Sequence, residues 1–241
     1  MLERSTAPVR FVPEPKRGGV RWLAQLDPAA ASAYAASVAP LVRVIEAALP
    51  SNVVANRVAE IRAEPPALRL EAWRAARTRF RALVRDLAAD AGAALMADVR
   101  DCYGSISLPV LRRALEGIGC PGGDVEHALD GLRRLAQRGI RGLPVGPEPS
   151  AVLANAVLLG ADRRIAAEGL AHVRWVDDVI VFTRDAREAR GALELLTAAL
   201  EDLGLRLAPE KTRVILDPAA IRGAGPAARS GPGPRWDRAS G

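Results

Sequence analysis

The sequence predicts a mixed fold of the α+β class. Two observations carry that expectation. Apolar, β-forming runs within residues 9–27 and 173–182 are arranged as hairpins, and longer stretches around them repeat apolar residues at helical spacing. The 241 residues are 49% hydrophobic, enough for one large domain, or a main domain with a subdomain, around a real core. Only 4% are aromatic, so that core is built mostly from Ala, Leu and Val.

Taken in order, residues 9–12 read as extended, 13–19 as a turn and 20–26 as the returning strand. A largely helical stretch follows over 28–48, interrupted at Pro40 and ended by Pro50, because proline cannot donate to the helix ladder. A second long helix is predicted over 66–89. Trp73, Ala76, Phe80, Leu83, Val84 and Leu87 repeat along one face of it, and Arg74, Arg77, Arg81 and Arg85 line another. Residues 93–99 form a small apolar strand. Ser107 caps a helix running to 115, and a further helix spans 124–137. A Gly/Pro-rich loop at 142–149 leads into a long apolar helix over 150–167. Residues 173–182 read as a strand pair broken by Asp177-Asp178. A helix over 185–203 is ended by Gly204, and residues 205–207 and 212–216 flank a turn carrying Lys211. Past Pro218 the composition collapses into Gly, Pro, Ala, Ser and Arg, so residues 219–241 read as a disordered tail.

Lys plus Arg outnumber Asp plus Glu by 34 to 28, with a pI near 10.2, which favours a polyanionic partner although the excess is modest. Nearly all of that positive charge is Arg; Lys16 and Lys211 are the only lysines. Cys102 and Cys120 give neither a disulfide framework nor zinc spacing, and read as core fillers. His127 and His172 read as surface or packing residues. The first residues lack an apolar signal core, and the longest apolar run, 151–161, is too short to span a bilayer. The expected setting is a reducing cytoplasm, without a membrane partner.

Two segments carry candidate chemistry. In Trp175-Val176-Asp177-Asp178-Val179-Ile180, adjacent carboxylates are flanked by apolar β-formers, which suggests a hairpin with its acidic pair at the turn. Like charges so close oppose ionisation unless a cation compensates them. An ordinary polar turn would look the same. Asp98 ends the buried strand over 93–99, where a lone carboxylate is poorly solvated; the plain alternative is that it begins a turn. If that strand lies beside the hairpin, Asp98 and Asp177 can share two magnesium ions about 3.5–4 Å apart, serving a 3′-hydroxyl and a leaving pyrophosphate.

Taken together, the segments resemble the reverse transcriptases. Asp98, followed by Tyr103 and then Ser105-Ile106, looks like the family's first catalytic motif. Gly142-Leu143-Pro144-Val145-Gly146, then Ser150, Leu153, Ala154 and Asn155, is similar to its Gly-Leu-Pro-x-Gly loop and helix. Trp175-Val176-Asp177-Asp178 resembles its x-x-Asp-Asp hairpin. Leu203-Gly204-Leu205-Arg206-Leu207 with Lys211-Thr212 resembles the next motif, and Pro15-Lys16-Arg17-Gly18-Gly19-Val20-Arg21 the fingers hairpin of bacterial members. These elements keep the family's order over residues 15–216, and both lysines fall at motif positions.

The resemblance implies a right-hand polymerase: a palm over 93–218 with an antiparallel sheet packed on helices, a small fingers region over 1–92, and a thumb that is short or missing. It implies two magnesium ions, with manganese as a substitute, on Asp98, Val99, Asp177 and Asp178. Lys211 would protonate the pyrophosphate, Lys16 and Arg21 would hold the triphosphate, Tyr103 would gate against a ribose 2′-hydroxyl, and Gly146 would brace template and nucleotide. The implied partners are an RNA template, a DNA or RNA primer and deoxynucleoside triphosphates; in place of a thumb, either the chain is truncated or a protein or second subunit closes the duplex site. Trp175-Val176 replaces the common Tyr-Ala pair, Val145 stands where Gln is frequent, and Ala208 where Asn is. These departures resemble abortive-infection, defence-associated or retron-like bacterial members, and phage defence is one role that this implies. The competing expectations are template-independent or protein-primed synthesis by the same site, and a thumbless, non-catalytic nucleic-acid-binding remnant.

Overall fold

The computed structural model describes residues 8–16 and 19–225. Strands β1 (Arg10–Lys16) and β2 (Gly19–Gln25) pair antiparallel from Arg10↔Gln25 to Lys16↔Gly19. The expected turn over 13–19 is therefore shorter, because Pro13 and Pro15 sit within a two-stranded ribbon, where a missing donor is tolerated at the edge. Helix α1 (Pro28–Val38) starts where Asp27 accepts a 2.8 Å bond from the Ala30 N–H, with Pro28 in the first turn. A 3-10 turn at Ala39–Leu41 holds Pro40, and α2 (Val42–Ala48) follows, so the interruption falls where proline put it.

A hairpin of β3 (Val58–Arg62) and β4 (Ala67–Leu70) then precedes α3 (Trp73–Leu87). This corrects the expected helix over 66–89, whose first residues form a strand instead. Next come β5 (Ala93–Asp98), α4 (Cys102–Ser105), α5 (Leu108–Gly117), α6 (Gly122–Ala136) and α7 (Glu148–Ala167). Ser107 precedes α5, but its side chain makes no capping bond. Strands β6 (Ala171–Trp175) and β7 (Asp178–Thr183), α8 (Ala186–Asp202), β8 (Arg213–Ile215) and α9 (Pro218–Arg222) complete the described chain. Gly204 follows α8 at φ +67°, the left-handed end that the sequence predicts.

Among the described residues, two compact units interleave along the chain. One takes in those up to Ala48, Asn56–Leu70 and Tyr103–Val157; the other takes Leu49–Ala55, Glu71–Cys102 and those from Leu158 onwards. In the first unit α1 packs on α6, so closely that a Cβ on Gly131 would lie 2.8 Å from Ser37 Oγ. The 21-residue segment Pro28–Ala48 is long and apolar enough to cross a membrane, by length and composition alone. Within this unit, however, Tyr34, Val38, Leu41, Val42 and Ile45 are buried, so the segment serves as core.

The loop before α7 is held by backbone contacts of the same unit. Leu143 N–H donates to Tyr103 O at 2.9 Å, and Ala24 N–H donates to Val145 O at 2.8 Å. Gly142 has φ +64°, and a Cβ there would meet Tyr103 O at 2.4 Å and Gly104 O at 2.6 Å. Gly142→Ala is therefore expected to cost about 2–4 kcal/mol, strain and crowding combined. Gly169, at φ +70° with open space around its Cβ position, isolates the strain alone. Chemical denaturation should show a clearly smaller loss for Gly169→Ala; equal losses would mean that the Tyr103–Gly104 contact contributes nothing.

The second unit is built on a four-stranded antiparallel sheet in the order β6-β7-β5-β8. All six residues of β5 are buried, because the strand is covered on both faces. On one face Ala76, Phe80 and Val84 of α3 pack against Ala94, Met96, Ile180 and Phe182, and Phe80 meets Trp175 edge-on at 5.4 Å between ring centroids. On the other face α8 packs on β5 and β7. Ile221 of α9 is fully buried in the α3-side cluster. That single side chain, worth about 1.5–3 kcal/mol of burial, together with the Asp217 cap on Ala220 N–H, orders a segment whose composition predicts disorder. The expectation of a disordered tail is thus corrected up to residue 225; residues 226–241 lie outside the described ones.

Candidate metal and catalytic site

Sheet register brings the acidic residues together in the second unit. Asp98 is the last residue of β5, Asp178 the first of β7, and the two are paired across the strands. Val99 N–H donates to Asp177 O at 3.0 Å, tying the strand end to the hairpin turn. One carboxylate oxygen from each of Asp98, Asp177 and Asp178 lies within 4.8 Å of the others. Asp98 is buried and the other two are half-buried.

The turn itself is strained. Trp175 and Asp178 pair directly, leaving Val176 and Asp177 as a two-residue connection, and Val176 has φ +58°. A connection left-handed only at its first residue is the type II′ pattern, which normally places Gly there. Valine, β-branched, costs about 1–3 kcal/mol in that conformation. What offsets it is a bond from Arg174, whose Nη1 donates to Val176 O at 2.9 Å.

Arg174 is only 1% exposed and Asp162, on α7, only 2%. The guanidinium meets both Asp162 carboxylate oxygens, with Nε at 2.9 and 3.0 Å and Nη2 at 2.8 Å. His172 Nε2 lies 3.3 Å from Asp162 Oδ1 and 2.9 Å from Asn52 Nδ2. Burial by itself would raise the Asp162 pKa, but the Arg174 charge and the hydrogen bonds more than reverse it, holding the carboxyl below its ordinary 3.8. Sequence reading missed this pair. Its signal was a carboxylate inside the apolar run over 150–167 and an arginine inside the apolar strand before Trp175, each unaffordable when buried alone.

Lys211, on a 3-10 turn at Pro209–Lys211, completes the cluster. Its Nζ donates to both Asp98 oxygens at 2.8 Å. Partial burial pulls its pKa down, and the hydrogen bond to Asp98, with the charges of Asp98, Asp177 and Asp178, raises it overall. The Cys102 thiol is pushed up by burial first and then by the Asp177 charge, so it stays protonated beneath the carboxylates. It is a buried core residue, as is Cys120.

The residues assigned to substrate lie in the first unit. Lys16 ends β1, opposite Gly19, and Arg21 on β2 stands 3.9 Å from its cross-strand partner Glu14. Tyr103 is on α4, with Asn56 Nδ2 at 3.5 Å from its hydroxyl. Gly146, at φ +122°, closes the loop against Leu23 and Ala24 of β2. The four expected catalytic residues thus gather in one unit, and the Tyr103–loop–β2 backbone bonds join three of the four substrate positions in the other.

The sequence matches, over residues 42–230, the family described as reverse transcriptase (RNA-dependent DNA polymerase). The chain belongs to that family. Among curated proteins no match is found. Among solved structures the fold is similar to a telomerase from Candida albicans in complex with a TWJ fragment of telomeric RNA, at 15% identity and a TM-score of 0.57, covering 88% of this chain and 42% of that one. It is also similar to an apo telomerase from Candida tropicalis truncated from its C-terminal domain, at 13% identity and a TM-score of 0.51, covering 89% and 51%. The chain therefore spans about half or less of the length of these two neighbours.

Proposed function

We propose that the chain is an RNA-directed DNA polymerase that adds deoxynucleotides to a 3′-hydroxyl. The observation carrying this is the approach of Asp98, Asp177 and Asp178 oxygens to within 4.8 Å of one another. A set of hard carboxylate oxygens suits magnesium, with manganese as a substitute, and the Val99 carbonyl would serve as a further, backbone ligand. Bound there, a pair of such ions supplies Lewis acidity to the attacking hydroxyl and to the leaving pyrophosphate. The chain's own groups do the rest. Asp98, buried at the end of β5, is a fixed ligand, and Asp177 is oriented by its turn. Lys211 keeps its proton on Nζ and delivers it to the pyrophosphate. Because its pKa is raised, that role is intact below the raised value and is lost only as pH climbs through it.

Lys16 and Arg21 hold the triphosphate, Tyr103 gates the sugar, and Gly146 braces template and nucleotide. The template is RNA and the primer DNA or RNA. The departures at Val145, Trp175-Val176 and Ala208 support a setting in phage defence.

Purified protein is expected to extend a primer on RNA in magnesium or manganese and to stop on chelation. Incorporation with no template added would transfer the reading to template-independent or protein-primed synthesis. Tight RNA binding without metal-dependent incorporation would reduce it to a non-catalytic binding protein. Lys211→Ala should lower the extension rate about 10²–10⁴-fold with RNA binding retained; an unchanged rate would remove the acid role.

A further inference from the structure

The arginine stripe of α3 is not used by the carboxylate site. Arg77, Arg81 and Arg85 come from successive turns of α3 and join Arg222 of α9 around a groove of about 420 Å³. Phe80 and Val84 of α3 and residues Gly223–Gly225 line it as well. Among the described residues no acidic side chain lines it. Arginines elsewhere, such as Arg57, Arg112, Arg133 and Arg164, have carboxylate partners, whereas among the described residues none of these four forms an ion pair.

The charges in the groove crowd one another. The Arg77 guanidinium lies 5.1 Å above the Trp73 ring, and its pKa is lowered by burial first and by the Arg81 charge second. Residues 226–241, outside the described ones, carry three arginines and one aspartate, so their side chains add positive charge on balance. Four guanidiniums lining one groove, with no counter-charge among the described residues, are electrostatically costly, and an anion bound among them removes that cost.

We infer that this groove binds the phosphodiester backbone of a nucleic-acid strand, at a second site sharing no residue with the carboxylate cluster. From Arg77 to Arg85 the helix rises about 12 Å, the axial length over which one strand of a duplex presents three or four phosphates. One guanidinium per turn therefore matches a run of neighbouring phosphates, whereas a single small anion would engage one or two arginines. Contacts of this kind position a strand without reading its sequence.

The inference takes from the proposed function only the nucleic-acid partner, so it is tested by binding, in chelator and without nucleotides. The full-length chain is titrated with labelled 20-nucleotide RNA, single-stranded DNA and duplex DNA across a range of salt. The groove variant carries Arg77→Gln, Arg81→Gln, Arg85→Gln and Arg222→Gln. A control variant of equal charge carries Arg113→Gln, Arg134→Gln, Arg187→Gln and Arg190→Gln, all at exposed positions. Both must keep the cooperative melting of the parent. The groove variant is expected to bind its preferred strand about 100-fold more weakly, and its slope of log K against log salt should fall by about three. The control should change by less than about threefold. Either RNA or DNA as the preferred strand supports the site and names its ligand. Equal losses in both variants would reduce the effect to overall charge, and an undiminished groove variant would remove the site outright. Neither result bears on whether the carboxylate site extends a primer, so the two readings fail separately.

Discussion

Asp177→Asn is expected to abolish primer extension, lowering the rate at least about 10³-fold, or about 4 kcal/mol of transition-state stabilisation. Asparagine keeps the shape of the side chain and a capacity to accept hydrogen bonds, but not the charge that draws a divalent ion to three oxygens within 4.8 Å. The same substitution should leave the fold intact. Asp177 is half-buried at a turn, and its carboxylate stands against Asp98 and Asp178, so removing one of three like charges relieves repulsion. Without metal the variant should melt at or slightly above the parent temperature. With magnesium the parent gains stability by mass action and the variant loses that gain. Thermal melting with and without the ion, run beside extension on an RNA template, reads both effects. Undiminished extension in the variant would remove the aspartates from the chemistry. A parent whose melting ignores magnesium would remove the ion from the site.

The opposite signs expected for activity and stability bear on why this site was legible in the sequence. Residues that relieve no local strain and bury no apolar surface stand out when they recur at motif spacing. Asp98, Asp177-Asp178 and Lys211 were each weak signals, and their order along the chain made them a set. The sheet then had to do only what alternation already predicted: end β5 beside the start of β7. Elements outside the motifs were harder. The hairpin of β3 and β4 was hidden because Pro66 looks like a helix start, and because β3 is largely exposed and the strands bury only Leu68 fully, with an irregular register between Val58 and Glu60. Helix α9 was hidden because one isoleucine anchors it; the legible signal, an Asp-Pro cap at 217–218, was outweighed by the composition around it. The interleaving of the two units was beyond local pattern altogether, since it is set by contacts between segments distant in sequence.

Asp162 and Arg174 belong to that last class, and the largest stability effect is expected there. Asp162→Ala should destabilise the protein by about 3–5 kcal/mol, because it strands a guanidinium that is 1% exposed. The loss should show in urea denaturation. Acidification should mimic it in the parent: a carboxyl held below its ordinary 3.8 gives its full stabilisation above that value and yields it as pH falls through the lowered one. Stability alone does not separate a structural ion pair from one that also positions the Val176–Asp177 turn. Arg174 does both in this geometry, gripping Asp162 with Nε and Nη2 while Nη1 holds the carbonyl of strained Val176. The double variant Asp162→Leu with Arg174→Met separates the two roles. Replacing both charges with apolar groups of similar volume should recover most of the lost stability, as buried pairs commonly allow. It cannot restore the bond to Val176 O, so the turn relaxes, Asp177 leaves its fixed place, and extension should stay at least about tenfold below the parent, with a higher magnesium requirement. A double variant that regains both stability and activity would make Arg174 a partner of Asp162 and nothing more. If stability alone returns, the guanidinium holds the Val176–Asp177 turn in the conformation that brings Asp177 to the cluster.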